Sequence, residues 1–299
     1  MTSVTEQEGA GYVPRVVAGE EDHRGHDVLG FRDPCKWCPC EHGFAAARLP
    51  VLPVEQRLRL DEAGAERVHP HVRGERVRVR LRERFVGSFT LPLRDVGLSL
   101  GETERAVREL DLRVVNLPAG VDGAYLGAPQ FRPLWEAFRD LGVVAFVHPD
   151  GVRDPWFQEY ALWNSLGQSI EESKVMASLI LEGVLEDMPE LQIVIAHGGG
   201  FLPHNFGRLD RNFRNRPGTA SNISKPPSEY LRSFYLDTCV YDPAVLAVLL
   251  ERVGPDRLLL GTDYPVGDVD PLEIVRRAGA SEDELAAIAG VNAARLLGL

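Results

Sequence analysis

The chain has 299 residues, of which 44% are hydrophobic and 26% charged, proportions that are typical of a globular protein and exclude a disordered or collagen-like chain. Its formal net charge of −11 at pH 7 argues against nucleic acid as a partner. The longest aliphatic run, residues 244–250, is far shorter than the ~20 residues of a membrane helix. With no signal-peptide pattern at the N-terminus, we expect a cytoplasmic protein that does not enter a membrane.

Residues 1–50 differ from the rest of the chain because they hold three of its four cysteines and no sustained apolar period. We predict an irregular N-terminal arm over 1–50 and one barrel domain over 51–299. Cysteine is a ligand for soft metals, and this segment contains Cys35, Cys38 and Cys40. No second Cys-x-x-Cys motif follows that would complete a structural zinc site. We therefore interpret them as exposed thiols of the arm.

From residue 85 onward, short apolar runs alternate with amphipathic segments. The apolar runs predict strands at 85–91, 112–117, 143–147, 193–196, 234–240 and 258–261. They lack the period-2 alternation of half-exposed strands, which indicates a parallel sheet covered on both faces. The repeated strand–helix order, without a glycine-rich dinucleotide motif, favours a (β/α) barrel over an open sheet.

Capping residues, prolines and glycines predict where the helices begin and end. A helix over 133–141 ends at Gly142, and another begins at Asp242-Pro243 and ends at Gly254. The helix after residue 169 has to end before Pro189. Three Ser-x-x-Glu capping boxes predict further helix starts, and they pair Ser99 with Glu102, Ser169 with Glu172, and Ser281 with Glu284.

Three of the predicted strands end in a polar residue followed closely by glycine or proline. These residues are His148, His197 and Asp263, and in a parallel barrel the carboxyl ends of all strands open on one face. Imidazole and carboxylate are suitable ligands for Zn²⁺ or a similar divalent ion, which lowers the pKa of bound water to ~7. A histidine that holds no metal can carry protons near neutral pH. Each residue alone could be an ordinary hydrogen-bonded strand end, but the three together predict an active site.

The segment after His197 adds to this prediction. Three consecutive glycines let backbone approach a ligand closely, because glycine has no Cβ. A run of arginines then includes Arg208 and Arg216, and the planar guanidinium matches a carboxylate with two hydrogen bonds. We therefore expect a small carboxylic acid as substrate. An arginine-rich surface helix without a ligand is the alternative.

Four motifs together resemble a known enzyme family. They read GVLEDMPELQIVIAH (183–197), HGGGFLPHNFGR (197–208), LLLGTDYP (258–265) and NAARLLGL (292–299). Over roughly 85–299 the chain resembles the amidohydrolase-related metal-dependent decarboxylases of the aminocarboxymuconate-semialdehyde decarboxylase type. The resemblance implies a distorted (β/α)8 TIM-type barrel and a homodimer. It also implies a divalent metal, zinc with manganese or cobalt as alternatives, and no organic cofactor.

The resemblance also implies a role for each candidate residue. His148 is expected to be a metal ligand, Asp263 a metal ligand or metal-linked base, and His197 the general acid or base. Arg208 and Arg216 match positions that hold the substrate carboxylate. The implied reaction is the non-oxidative loss of CO₂ from an unsaturated or aromatic carboxylic acid.

The chain departs from the family pattern at its start. Members carry a His-x-His pair on the first strand, close to the N-terminus, but the only such pair here is His69-Pro70-His71. Two alternatives stand beside the decarboxylase. One is a metal-dependent hydrolase or hydratase that uses the same strand ends, and the other is a non-catalytic homologue that keeps the barrel for binding or assembly.

Overall fold

The computed structural model describes residues 85–299, apart from 217, 265, 268 and 269, together with a short strand at Arg15–Val17. Residues 86–299 belong to one compact unit. The predicted boundary near residue 50, the three N-terminal cysteines and the pair His69 and His71 lie outside the described residues.

The six predicted strands are found in the predicted order; one is shifted by a single residue, and the other five are shorter than predicted by one to three residues. The strands of the structure are β1 (Arg15–Val17), β2 (Phe85–Phe89), β3 (Val114–Leu117), β4 (Gly120–Val121), β5 (Ala124–Tyr125), β6 (Val144–Val147), β7 (Gln192–Ile195), β8 (Phe234–Asp237) and β9 (Leu258–Leu259).

The helices lie between the strands and after the last one. They are α1 (Val96–Leu110), α2 (Arg132–Leu141), α3 (Leu162–Ser165), α4 (Gly167–Leu181), α5 (Val184–Asp187), α6 (Phe206–Asn215), α7 (Pro243–Val253), α8 (Pro271–Arg277), α9 (Glu282–Ala286) and α10 (Asn292–Leu297). In the described part of the chain, no helix combines the length and the apolar character needed to cross a membrane.

The main sheet has the strand order β1-β2-β3-β6-β7-β8-β9, and every neighbouring pair from β2 to β9 is parallel. Its six strands from β2 onward curl into half of a barrel, which confirms the predicted α/β fold class. Because the strands are parallel, the residues that follow β6, β7, β8 and β9 lie at the same edge of the sheet. A separate two-stranded antiparallel ribbon is formed by β4 and β5.

The core lies between the sheet and the helices that cover it. Val147, Ile193 and Ile195 are completely buried on β6 and β7. Helix α4 contributes an apolar face to this core, since Val175 and Met176 are also fully buried there. Burial of one such side chain contributes about 1.5–3 kcal/mol relative to leaving it in water, so this layer is a main source of stability.

Most of the predicted helix boundaries are confirmed. Gly142 ends α2 with φ of 64°, a conformation that glycine adopts without strain. The Asp242 carboxylate accepts a hydrogen bond from the backbone N–H of Ala244 at the start of α7. At α9, Ser281 and Glu284 make both hydrogen bonds of a capping box.

The other two capping boxes are wrong. Helix α1 begins one turn earlier than predicted, because Asp95 has extended backbone and accepts a hydrogen bond from the N–H of Leu98. Ser99 is consequently buried inside the first turn, where its hydroxyl cannot serve as the cap. Helix α4 begins at Gly167 without a side-chain cap, so Ser169 and Glu172 lie within the helix.

Asn292 connects the C-terminal helix to the last strand. Its buried side-chain amide donates to the carbonyl oxygens of Pro255 and Leu258, at 2.7 and 2.8 Å. We expect Asn292→Ala to lower the free energy of unfolding by about 2–4 kcal/mol, because a buried acceptor and a partly buried acceptor lose their donor. Urea denaturation of both proteins measures the difference. Asn215→Ala, at an exposed helix end, is the control and should change stability by less than ~0.5 kcal/mol. Equal midpoints for Asn292→Ala and wild type would contradict this role.

Candidate metal centre

The structure brings three strand-end residues together at the carboxyl edge of the sheet. His148 directly follows β6, His197 lies two residues after β7, and Asp263 lies four residues after β9. One ligand atom from each side chain lies within 4.8 Å of the other two. The centroids of the two imidazole rings are 4.9 Å apart, and the ring planes are inclined at 66°. Two nitrogen donors and one carboxylate oxygen at this spacing can bind a divalent metal ion.

His148 is suited to a ligand role by its electrostatic environment. Burial lowers its pKa, and the neighbouring His197 lowers it further, to about 4, although Asp263 acts in the opposite direction. The ring is therefore neutral at pH 7. A neutral imidazole keeps a lone pair on one nitrogen, which metal binding requires.

Two residues of the centre adopt strained backbone conformations. His197 has φ of 49° and Asp263 has φ of 45°, in the left-handed region that residues with a side chain rarely adopt. The next residue, Gly198, has to be glycine, because a Cβ there would lie 2.4 Å from a side-chain carbon of Val240. Such strain persists only where the surrounding structure imposes it, and it clusters at functional sites.

Asp237 supports the loop that carries His197. It ends β8, between the strands that supply the histidines and the aspartate, and its side chain is buried. One of its carboxylate oxygens accepts hydrogen bonds from the backbone N–H groups of Gly198 and Cys239, at 3.1 and 3.0 Å. Two donors on one oxygen fix the position of the glycine turn next to His197.

Tyr241 fixes the orientation of Asp263. Its hydroxyl donates to the second carboxylate oxygen of Asp263 at 2.8 Å, and its ring is about half exposed. Burial of the hydroxyl and the bond to Asp263 both raise the pKa of Tyr241, so the phenol stays protonated at neutral pH. Sequence reasoning missed this residue, because its contact to the strand-end aspartate joins two loops that are distant in sequence.

Glu172 is the second residue that sequence reasoning missed. Its side chain is completely buried on α4, and its Oε1 contacts Nδ1 of His197. Burial raises the pKa of Glu172. Burial lowers the pKa of His197, but the contact with Glu172 outweighs it and raises that pKa. A signal existed in the sequence, since Glu172 is a lone acid on the same helix face as Val175 and Met176, but the capping-box pattern concealed it.

The two arginines lie on a different element from the three clustered residues. Arg208 is exposed on α6, and Arg216 is exposed directly after that helix. The helix is attached to the following 3₁₀ turn by Asp210, which accepts hydrogen bonds from the N–H and the hydroxyl of Ser228. No contact between either arginine and the three clustered residues is seen in the described part of the chain, and their role in holding a carboxylate stays a prediction.

Comparisons with known proteins agree with the resemblance stated from the motifs. Residues 47–299 match the family model described as Amidohydrolase. The 2-amino-3-carboxymuconate-6-semialdehyde decarboxylase of Dictyostelium discoideum is 32% identical over 222 residues, which are 73% of this chain and 62% of that protein. The chain therefore spans less than two thirds of the length of this relative.

Two solved structures show the same fold. The 5-carboxyvanillate decarboxylase of Sphingomonas paucimobilis aligns with a TM-score of 0.67 and 31% identity, over 72% of this chain and 67% of that one. A variant of the enzyme from Novosphingobium aromaticivorans, with bound manganese and 3-methoxy-4-hydroxy-5-nitrobenzoic acid, aligns with a TM-score of 0.64 and 25% identity. That alignment covers 74% of this chain and 67% of the other.

Proposed function

The chain belongs to the amidohydrolase family, and from this membership we propose that it is a metal-dependent decarboxylase that removes CO₂ non-oxidatively from an unsaturated or aromatic carboxylic acid. The observation that supports this function best is the cluster of His148, His197 and Asp263 at the carboxyl edge of the parallel sheet. The decarboxylases to which the chain is similar support the reaction class.

The donor atoms of the cluster fit a divalent ion. We propose that His148 and Asp263 hold it and that it is zinc, with manganese or cobalt as alternatives; the manganese in a relative supports the second choice. When bound, the ion supplies positive charge that stabilises negative charge on the substrate. Tyr241 keeps the Asp263 carboxylate in one orientation, through the hydrogen bond to its second oxygen.

His197 is the proposed proton carrier. In the reaction, the bond between a substrate carbon and its carboxylate breaks, CO₂ leaves, and the electron pair stays on the carbon. A proton then has to reach that carbon, and we propose that His197 delivers it from Nε2, because Nδ1 is in contact with Glu172. Arg208 and Arg216 would hold a carboxylate of the substrate, each through paired N–H donors.

A homodimer is part of the same proposal, because the family resemblance implies it. Light scattering on a size-exclusion column is expected to give twice the 33.1 kDa mass of the chain. A mass of one chain at micromolar concentration would contradict the dimer without affecting the proposed reaction.

The reaction is tested with the metal-loaded protein and a panel of acids in deuterated water. The panel includes 5-carboxyvanillate and 2-amino-3-carboxymuconate-6-semialdehyde, on which the relatives named above act. We expect release of CO₂ and one deuterium on the carbon that lost it. A product that gains water and keeps its carboxylate would favour a hydratase or hydrolase instead. No conversion of any acid by protein that has bound metal would favour the non-catalytic alternative.

A further inference from the structure

The carboxyl group of Glu172 lies in a buried position, where it lowers the stability of the folded protein. Its side chain is completely buried on the face of α4 that also buries Val175 and Met176. Its Oε2 has no hydrogen-bond partner among the described residues. Removing a carboxyl from water without full pairing is costly, and an apolar side chain of similar size would pack there without this cost. An unsatisfied buried polar group of this kind requires a reason other than stability.

The contact made by the other oxygen provides such a reason. Oε1 of Glu172 lies against Nδ1 of His197, whose side chain is 13% exposed. His197 begins a tight turn with strained backbone, so the backbone restricts the direction of its ring. With Nδ1 occupied by Glu172, Nε2 is the ring nitrogen left for the cluster with His148 and Asp263.

We propose that Glu172 is a positioning residue that accepts a hydrogen bond from the Nδ1–H of His197 and thereby fixes its ring and tautomer, so that Nε2 exchanges protons with the substrate. Carboxylate acceptors commonly orient a functional imidazole in this way. The role given to Nε2 rests on the proposed function. The hydrogen bond itself can be tested without any substrate.

The adjacent glutamate offers a matched control. Glu171 accepts a hydrogen bond from the hydroxyl of Tyr125 at 2.9 Å and pairs with Lys174 at 2.8 Å, away from His197. Glu171→Gln therefore makes the same chemical change on the same helix without touching the centre. Glu172→Leu removes the acceptor with little change in volume, and Glu172→Gln keeps an acceptor but removes the charge.

The first measurement is ¹⁵N and ¹H NMR of histidine-labelled protein, in the metal-free and zinc-loaded forms, with the His197 signal assigned from its loss in His197→Asn. In the wild type and in Glu171→Gln we expect a proton on Nδ1 of His197. In Glu172→Leu we expect a mixture of tautomers. In Glu172→Gln the Nδ1 proton should remain and move upfield, because a neutral acceptor makes a weaker hydrogen bond.

The second measurement separates positioning from structure. We expect Glu172→Leu to unfold at a urea concentration no lower than the wild type, and its kcat to fall about 10–100-fold while KM changes little. An unprotonated Nδ1 in the wild type, or an unchanged Nδ1 signal in Glu172→Leu, would overturn the proposal. If Glu172→Leu does not fold, an unchanged signal in Glu172→Gln would overturn it. If the wild type releases no CO₂, the proposed function fails, but the spectra still decide the role of Glu172.

Discussion

Replacing His148 with alanine is expected to abolish stable binding of a divalent metal. The wild type should retain about one ion per chain, because ligand atoms of His148 and Asp263, the two proposed ligands, lie within 4.8 Å of each other. Loss of a residue that only orients a ligand costs 10–100-fold in affinity, so loss of a ligand should cost at least about 100-fold. Elemental analysis after dialysis and competition with a chelating dye measure both quantities.

The control for this prediction is His204→Ala. His204 lies in the loop after β7 and is partly buried, but it is not one of the three clustered residues. Its replacement should leave one ion per chain. Retention of the ion by His148→Ala would show that His148 is not a ligand, and His69 and His71 would be the next histidines to replace.

Replacing His197 with glutamine is expected to lower kcat about 10²–10⁴-fold, which is the usual contribution of a positioned acid or base. Glutamine keeps much of the volume and can still contact Glu172, but it cannot carry a proton at neutral pH. The metal content should remain near that of the wild type if His148 and Asp263 hold the ion. Steady-state kinetics and elemental analysis on the same preparation test both expectations.

The two readouts distinguish the roles open to His197. A variant that loses metal and activity together would make His197 a ligand, since it lies in the same cluster. A variant that keeps its metal and its activity would remove His197 from the mechanism altogether. His204→Gln serves as the matched control, because it makes the same substitution outside the cluster.

The strands were predictable because their signal is local and strong. Buried parallel strands such as β6 and β7 are runs of aliphatic residues, and the polar residue that follows each run marks its end. The convergence of His148, His197 and Asp263 then follows from one rule about parallel sheets. The meeting of these three strand ends at one edge of the sheet was therefore predictable from the sequence.

The helix starts show where local patterns cease to be sufficient. Three segments share the Ser-x-x-Glu pattern, but only Ser281 and Glu284 form a capping box. At α1 the earlier Asp95 acts as the cap, and at α4 the chain is already helical before Ser169. The pattern does not show which residue is the first with helical backbone. That residue depends on how the helix packs against the sheet.

The residues that support the centre were hidden for a similar reason. Glu172 and Tyr241 act through contacts to residues 25 and 22 positions away, on different elements. Asp237 looked like part of an apolar strand, and only the position of β8 beside β7 gives it the backbone N–H of Gly198 in addition to that of Cys239. The three clustered residues could be recognised at strand ends, but the residues that support them could not, because their contacts join segments that are distant in sequence.

Ion binding is also coupled to folding, because the three clustered residues follow the ends of different strands. His148, His197 and Asp263 meet only in the native chain, so an ion held by them binds the folded state and not the unfolded one. Each tenfold rise in free ion above the dissociation constant then adds about 1.4 kcal/mol to the free energy of unfolding. The melting temperature should therefore rise with the logarithm of ion concentration, which gives the affinity of the centre before any substrate is known.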